Sequence, residues 1–219
     1  MATAATGTET SRKQRAEASR RRLVEAAAEQ FLSRPYEEVA IGDIAELAGV
    51  TPGLLYHYFE NKRGIYLEAM REAGRRLRAA HQPHSDAPPG EQVRELLRTH
   101  LSYMSEHQEM ALGLIHGGIG ADPEARAIFQ EDRRRTIGWL CDALGLDAQN
   151  PAVRLTLRAA VGATDEATVF WIEQGRPFGI PELVEALMEM LIAAIEGAAR
   201  LDPDLRAEQA VALLRRSER

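Results

Sequence analysis

Between Ile41 and Lys62 the chain reads IGDIAELAGVTPGLLYHYFENK, and this stretch limits the fold more than any other. Ala45 is a small side chain at a point where one helix must let the next approach. Gly49, four residues on, falls where the first helix ends and the backbone turns left-handed, a conformation that penalises a Cβ. Leu55, ten residues after Ala45, is an apolar anchor on a second helix, with Phe59 one turn further along the same face. Thr51 is a favourable N-cap, and Pro52 then takes the first helical position, where a missing N–H costs nothing. The spacing predicts two short helices, Ile41–Ala48 and Pro52–Phe59, crossing steeply as a helix–turn–helix. The second has the length and placement of a helix that lies in a DNA major groove.

The face of that helix turned away from the anchors carries Thr51, Pro52, Gly53, Leu54, Tyr56, His57 and Tyr58. Ile41 opens the helix before it, and Lys62 opens the helix after it. Polar-tipped aromatics and an ammonium suit phosphate oxygens, and Gly53 lets the backbone come close. Upstream, Ser11 to Arg22 holds Arg12, Lys13, Arg15, Arg20, Arg21 and Arg22 against a single acid, Glu17. Taken alone such a run reads as a solvated charged segment. Directly before a helix–turn–helix it reads as a basic arm, with Arg12, Lys13 and Arg15 reaching along the DNA backbone or into the minor groove.

The run AGVTPGLLYHYFENK, with Asp43-Ile44-Ala45 in register ahead of it, resembles the DNA-binding signature of the tetracycline-repressor (TetR) family of bacterial transcription regulators. The likeness extends over about residues 17–77. One position departs: the family usually has an acidic residue directly after the lysine, where this chain has Arg63-Gly64. The resemblance implies a homodimer on a double-stranded operator with two-fold symmetry and a second helical domain that binds a small-molecule effector. Repression relieved by that effector is the expected role. Activation on the same fold, or a helical adaptor that binds no DNA, are the alternatives.

A net charge of −6 looks wrong for a DNA binder until it is divided along the chain. Residues 1–80 carry 13 basic against 11 acidic side chains, and residues 81–219 carry 14 against 22. The positive balance belongs to the end with the helix–turn–helix, and a local patch sets phosphate affinity. The single cysteine, Cys141, allows no intrachain disulfide and no thiolate metal cluster, and reads as a small buried hydrophobe. No apolar signal segment opens the chain, and the most apolar run, Leu183–Ala199, is broken by Glu185, Glu189 and Glu196. These features predict a cytoplasmic protein with no membrane span.

The remaining pattern is helical throughout, so the fold class is all-α: a three-helix DNA-binding head joined to a larger helical ligand-binding and dimerisation domain. Residues 1–10 read as a disordered tail, 11–80 as the DNA-binding domain, 81–90 as a Pro/Gly linker and 91–219 as the second domain. The first helix is expected from about Ala16 to Ser33 and the fourth, capped by Asn61, to about Ala80. In the second domain helices are expected over Pro89–Glu106, Met110–His116, Pro123–Leu144, Pro151–Gln174 and Pro181–Arg200, with a last one over Pro203–Arg215.

Two stripes on the longest helices suit a two-fold four-helix bundle. Leu157, Ala160, Val161, Thr164, Ala167, Thr168 and Trp171 form one; Leu183, Leu187, Met190, Leu191, Ala194, Ile195 and Ala198 form the other. Packing within the subunit accounts for the same stripes, so the spacing leaves both open. For an effector pocket the candidates are His100, Tyr103, Met104, His116, Phe129, Trp139, Asp165, Phe170 and Trp171, a set that leans apolar. No cofactor or metal is implied. Gly117-Gly118-Ile119-Gly120 follows a helical pattern where a phosphate loop needs a strand, and the adjacent Asp165 and Glu166 point about 100° apart on a helix, so they do not converge as an acid–base pair. The pattern argues against an enzyme.

Overall fold

The computed structural model describes residues 4–80, 86–108 and 123–216. The expected helix over Met110–His116, the Gly117–Gly120 break and positions 81–85 of the linker lie outside the described residues. Within them every extended element is helical: α1 (Ala4–Ser33), α2 (Ile41–Leu47), α3 (Pro52–Phe59), α4 (Lys62–Ala80), α5 (Pro89–Glu106), α6 (Pro123–Leu144), α7 (Pro151–Glu173), α8 (Ile180–Leu201) and α9 (Ala207–Arg215). None of these helices is long and apolar enough to cross a membrane.

The head is α1 to α4 around one apolar cluster. Leu23, Ala27 and Phe31 of α1 recur every fourth residue and meet Ile44, Leu55, Phe59, Ile65 and Met70, all buried. The α2–α3 turn closes as the spacing predicts. Gly49 has φ of +65°, Val50 N–H donates to the Ala45 carbonyl and Gly49 N–H to that of Glu46, both at 3.0 Å. That pair of bonds satisfies the last carbonyls of α2. Thr51 holds the N-cap backbone position of α3, but its side chain makes no capping bond, so that part of the expectation is corrected.

The α3–α4 turn accounts for the glycine at position 64, while Arg63, at the position that departs, is exposed and pairs with Glu124. Glu60 takes a φ of +64°, and Asn61 Oδ1 accepts a hydrogen bond from Gly64 N–H at 2.9 Å, so Asn61 caps α4. The turn is so tight that a Cβ on Gly64 would overlap the Phe59 carbonyl oxygen.

Two boundaries differ from expectation. α1 begins at Ala4, so residues expected as a tail and a loose arm continue the helix. α9 begins at Ala207, because Asp202 to Leu205 form a turn in which Asp202 Oδ1 accepts from Asp204 N–H at 3.2 Å and the Asp202 carbonyl accepts from Leu205 N–H. Asp202 also accepts from Asn150 Nδ2 at 2.6 Å, while Asn150 Oδ1 caps α7 through Ala152 and Val153. The start of α7 is thereby tied to the end of α8.

The second core gathers α5 to α9 around Leu101, Leu140, Leu144, Leu157, Trp171, Leu187, Leu191, Ile195 and Leu214. Trp171 Nε1 donates to the Phe178 carbonyl at 2.8 Å, which holds the α7–α8 loop. This core takes part of each stripe: Leu157, Thr168, Trp171, Leu187, Leu191, Ile195 and Ala198 are buried within the subunit, whereas Ala160, Val161, Thr164, Ala167, Leu183 and Ala194 are half-buried and Met190 is exposed. Beside Met190, residues outside the stripes also stand outward on α7 and α8. Leu155 (61% exposed) and Phe170 (59%) stand out from α7, Met190 (44%) and Leu201 (61%) from α8. Ala159, Ala186 and Ala193 are exposed between them.

Candidate nucleic-acid interface and effector region

The side chains proposed for DNA fall into two groups. Thr51, Pro52, Gly53, Tyr56 and His57 are exposed on α3, and Arg12, Lys13 and Arg15 are exposed on α1. They leave a backbone edge, a hydroxyl, a phenol, an imidazole and three cations turned to solvent. Ile41, Leu54, Tyr58 and Lys62 are only partly exposed and serve the head itself. Ile41 and Tyr58 pack against the head cluster. Tyr58 donates its hydroxyl to the Ala16 carbonyl at 3.2 Å, pinning α3 to α1. Lys62 donates to the Glu37 carbonyl at 3.3 Å and sits 4.5 Å from the centre of the Tyr36 ring. The phenol and ammonium expected to face DNA are thus partly spent on orienting α3.

Three supports of this face were not legible in the sequence. Arg34, in the connection between α1 and α2, reaches Asp43 at the start of α2 at 2.8 Å and donates to the Glu38 carbonyl at 2.6 Å. Phe31, Tyr36 and Tyr66 form a three-ring cluster with centroids 5.0–5.7 Å apart beneath Lys62. Glu68 of α4 takes Arg20 at 2.6 Å and Arg71 at 2.8 Å. Partial burial opposes ionisation of Glu68, yet the two guanidiniums hold it below the usual carboxylate range.

The effector candidates are only partly brought together. Met104 is buried and Tyr103 half-buried at the second core, with Trp139 packed against its rim and Trp171 inside it. Tyr103 stacks on His107 at 4.2 Å, and its buried hydroxyl has no hydrogen-bond partner among the described residues. The buried Nε2 edge of His100 lies within electrostatic reach of Asp165, which also holds Arg133 at 2.6 Å. Two candidates lie elsewhere. Phe170 is on the outer face of α7, and Phe129 packs against the head cluster, because α6 leans on α4 there. His116 lies outside the described residues. A cleft of about 390 Å³ does open between α4 and α6, but arginines and carboxylates line it, unlike the apolar pocket expected.

Burial pushes His100 below the free imidazole value of 6.5, with Asp165 acting against that. As pH falls past 6.5, the unfolded chain takes up a proton that the folded chain resists, so stability drops on the acid side. His100→Gln is expected to flatten this limb in thermal melts run across pH, and an unaltered slope in the variant would remove His100 from it.

Comparison with known proteins follows the same division of the chain. The family model described as "Bacterial regulatory proteins, tetR family" matches residues 23–69, and "Tetracyclin repressor-like, C-terminal domain" matches residues 89–196. The "Fatty acid metabolism regulator protein" of Bacillus subtilis (strain 168) is 22% identical over 181 residues, covering 79% of this chain and 93% of that protein. The "Probable acrEF/envCD operon repressor" of Escherichia coli (strain K12) is 25% identical over 192 residues, covering 80% and 87%. The crystal structure of a tetR-family transcriptional regulator from Streptomyces coelicolor matches with a TM-score of 0.78 at 24% identity, covering 91% of this chain and 87% of that one. The transcriptional regulator FadR from Bacillus subtilis, in complex with stearoyl-CoA, matches with a TM-score of 0.59 at 19% identity, covering 79% and 97%. At these identities the solved structures speak for the fold.

Proposed function

The chain belongs to the tetR family of bacterial regulatory proteins, and on that premise we propose that it is a homodimeric repressor released from a two-fold operator by a small apolar or amphipathic effector. The observation that carries the DNA half is the exposed α3 face of Thr51, Pro52, Gly53, Tyr56 and His57 on a head whose core is gathered into one buried cluster. α3 enters the major groove, Thr51 and His57 meet base edges, and Tyr56 and the backbone at Gly53 meet phosphates. Arg12, Lys13 and Arg15 on the exposed side of α1 add phosphate contacts, and Tyr58 and Lys62 orient α3.

One head makes few contacts, so two are needed on half-sites about 34–36 Å apart. The outward face of Leu155, Phe170, Met190 and Leu201 supports pairing through α7 and α8, since apolar side chains of this size are seldom left together in water. The effector reading rests on Tyr103, His100 and Asp165 between α5 and α7. A partly amphipathic molecule would give the buried phenol a partner while covering apolar surface. That the FadR relative is described with stearoyl-CoA supports an effector of this character. Release needs a coupling of only about 1–3 kcal/mol between the two sites.

The test is fluorescence anisotropy on an operator selected from random duplexes, across about 50–200 mM salt. Lys13→Gln and Arg15→Gln are each expected to weaken binding to every sequence and to lower the salt slope by about one. His57→Ala is expected to change the preferred operator with little change in slope. Unaltered slopes in both arm variants would remove α1 from the interface. Stearoyl-CoA is the first probe of release; operator binding that ignores it at micromolar concentration rejects long acyl thioesters as the effector class.

A further inference from the structure

We propose that α6 sets the position of the DNA-binding head, with Glu124 and Asp132 as positioning residues that clasp α4 by charge at two levels. This rests on the regulator reading above and adds the element that transmits its signal.

α6 starts in one core and ends in the other. Ala125 is fully buried in the head cluster, with Ile128 and Phe129 packed against it, whereas Leu140, Cys141 and Leu144 belong to the second core. Glu124 takes two arginines of the head helix, Arg63 at 3.1 Å and Arg71 at 2.9 Å. Two turns on, Asp132 pairs with Arg78, and it lies so close to Gly74 that a Cβ there would strike its carboxylate. The paired positions stand seven residues apart on α4 and eight on α6, about 10 and 12 Å of helix, so the two run side by side. Beside this contact a charged groove of about 390 Å³ runs between the two helices.

The division of labour follows from geometry. The contacts at Ala125, Ile128 and Phe129 resist separation but tolerate rolling, because apolar contact is not directional. Guanidinium–carboxylate pairs are directional and fix the roll. Arg133, next to Asp132 and about 100° round the helix, holds Asp165 of α7 at 2.6 Å. A single turn of α6 therefore grips the head helix on one side and α7 on the other. Any tilt of α7 relative to α5 reaches the head through this rod, and Asp165 lies within electrostatic reach of His100 on α5.

The experiment measures the distance between spin labels at Glu46→Cys on α2 and Gln209→Cys on α9, both exposed positions, with native Cys141 buried. Labelled chain is diluted in unlabelled chain so that only distances within one subunit count. Glu124→Gln/Asp132→Asn, which keeps shape and removes charge, is expected to widen the distance distribution about twofold and to erase preference among operators whose half-site spacing differs by one base pair. Arg71→Lys/Arg78→Lys, which keeps charge, is expected to retain most of the unaltered width. Raising salt to about 1 M should broaden the unaltered chain toward the double variant. Unchanged width overturns the proposal, as does a widened distribution with spacing preference intact. If the double variant does not fold, Asp132→Asn and the salt series on the unaltered chain decide the same question. Failure of the regulator reading shows separately, as an unaltered chain with no salt-dependent duplex binding.

Discussion

At micromolar concentration the unaltered chain is expected to sediment as a dimer and the Leu155→Glu/Met190→Glu chain as a monomer. Both side chains stand outward on the helices proposed to pair, 61% and 44% exposed, so the substitutions leave the subunit core untouched. Within one subunit such surface changes are worth about ±0.5 kcal/mol. Across a two-fold seam the outcome is different, because each carboxylate is placed twice in an apolar contact and must be desolvated without a partner. Operator affinity is then expected to fall by roughly a thousandfold. Paired heads on two half-sites reach about 10⁻⁸ M or tighter, whereas one head is left near its non-specific affinity of about 10⁻⁵ M. Circular dichroism should report unchanged helicity. A double variant that remains dimeric would remove this face from the interface.

The second large effect is expected at Gly64. A Cβ there meets the Phe59 carbonyl oxygen, and both groups are backbone, so no flexible side chain can yield. Gly64→Ala must open the α3–α4 turn, which drags Phe59 and then Leu55 out of the head cluster where both are buried. Losing a buried leucine's packing alone costs about 2–5 kcal/mol, and Gly64→Ala is expected to fall in that range. Gly53→Ala is the control. Nothing lies within 4 Å of a Cβ at that helical position, so stability should rise by a few tenths to about 1 kcal/mol. Operator binding should nevertheless weaken, because the added methyl stands on the face proposed for the phosphates. Chemical denaturation and anisotropy separate the two outcomes: equal stability of Gly64→Ala and the unaltered chain would show that the turn is not strained against substitution.

The helix–turn–helix was legible because its signals are local. Gly49 at φ +65°, Pro52 at the first position of α3, Asn61 capping α4 and the Leu23/Ala27/Phe31 stripe all act within a few residues of themselves. Three helix starts followed for the same reason, at Pro89, Pro123 and Pro151, whereas the helices expected from Pro181 and Pro203 begin at Ile180 and Ala207. Where the expectation failed, the deciding force came from far along the chain. Thr51 lacks its capping bond although it is the right residue in the right place. Tyr58, expected at the phosphates, also bonds the Ala16 carbonyl, 42 residues away, a contact that no local pattern signals.

What the sequence by itself determined is the fold class, the head and the order of the helices, since periodicity, caps and chain breaks are short-range physics. Only the tertiary structure decided which side of α7 and α8 faces outward, because Leu157 and Leu155 are equally apolar and two residues apart, and burial of one exposes the other. It alone drew Glu124 and Asp132 onto the arginines of α4, 53 and 54 residues upstream of them along the chain. Charges that distant carry no periodic signal, and their pairing appears only once the apolar ends of α6 have chosen their two cores.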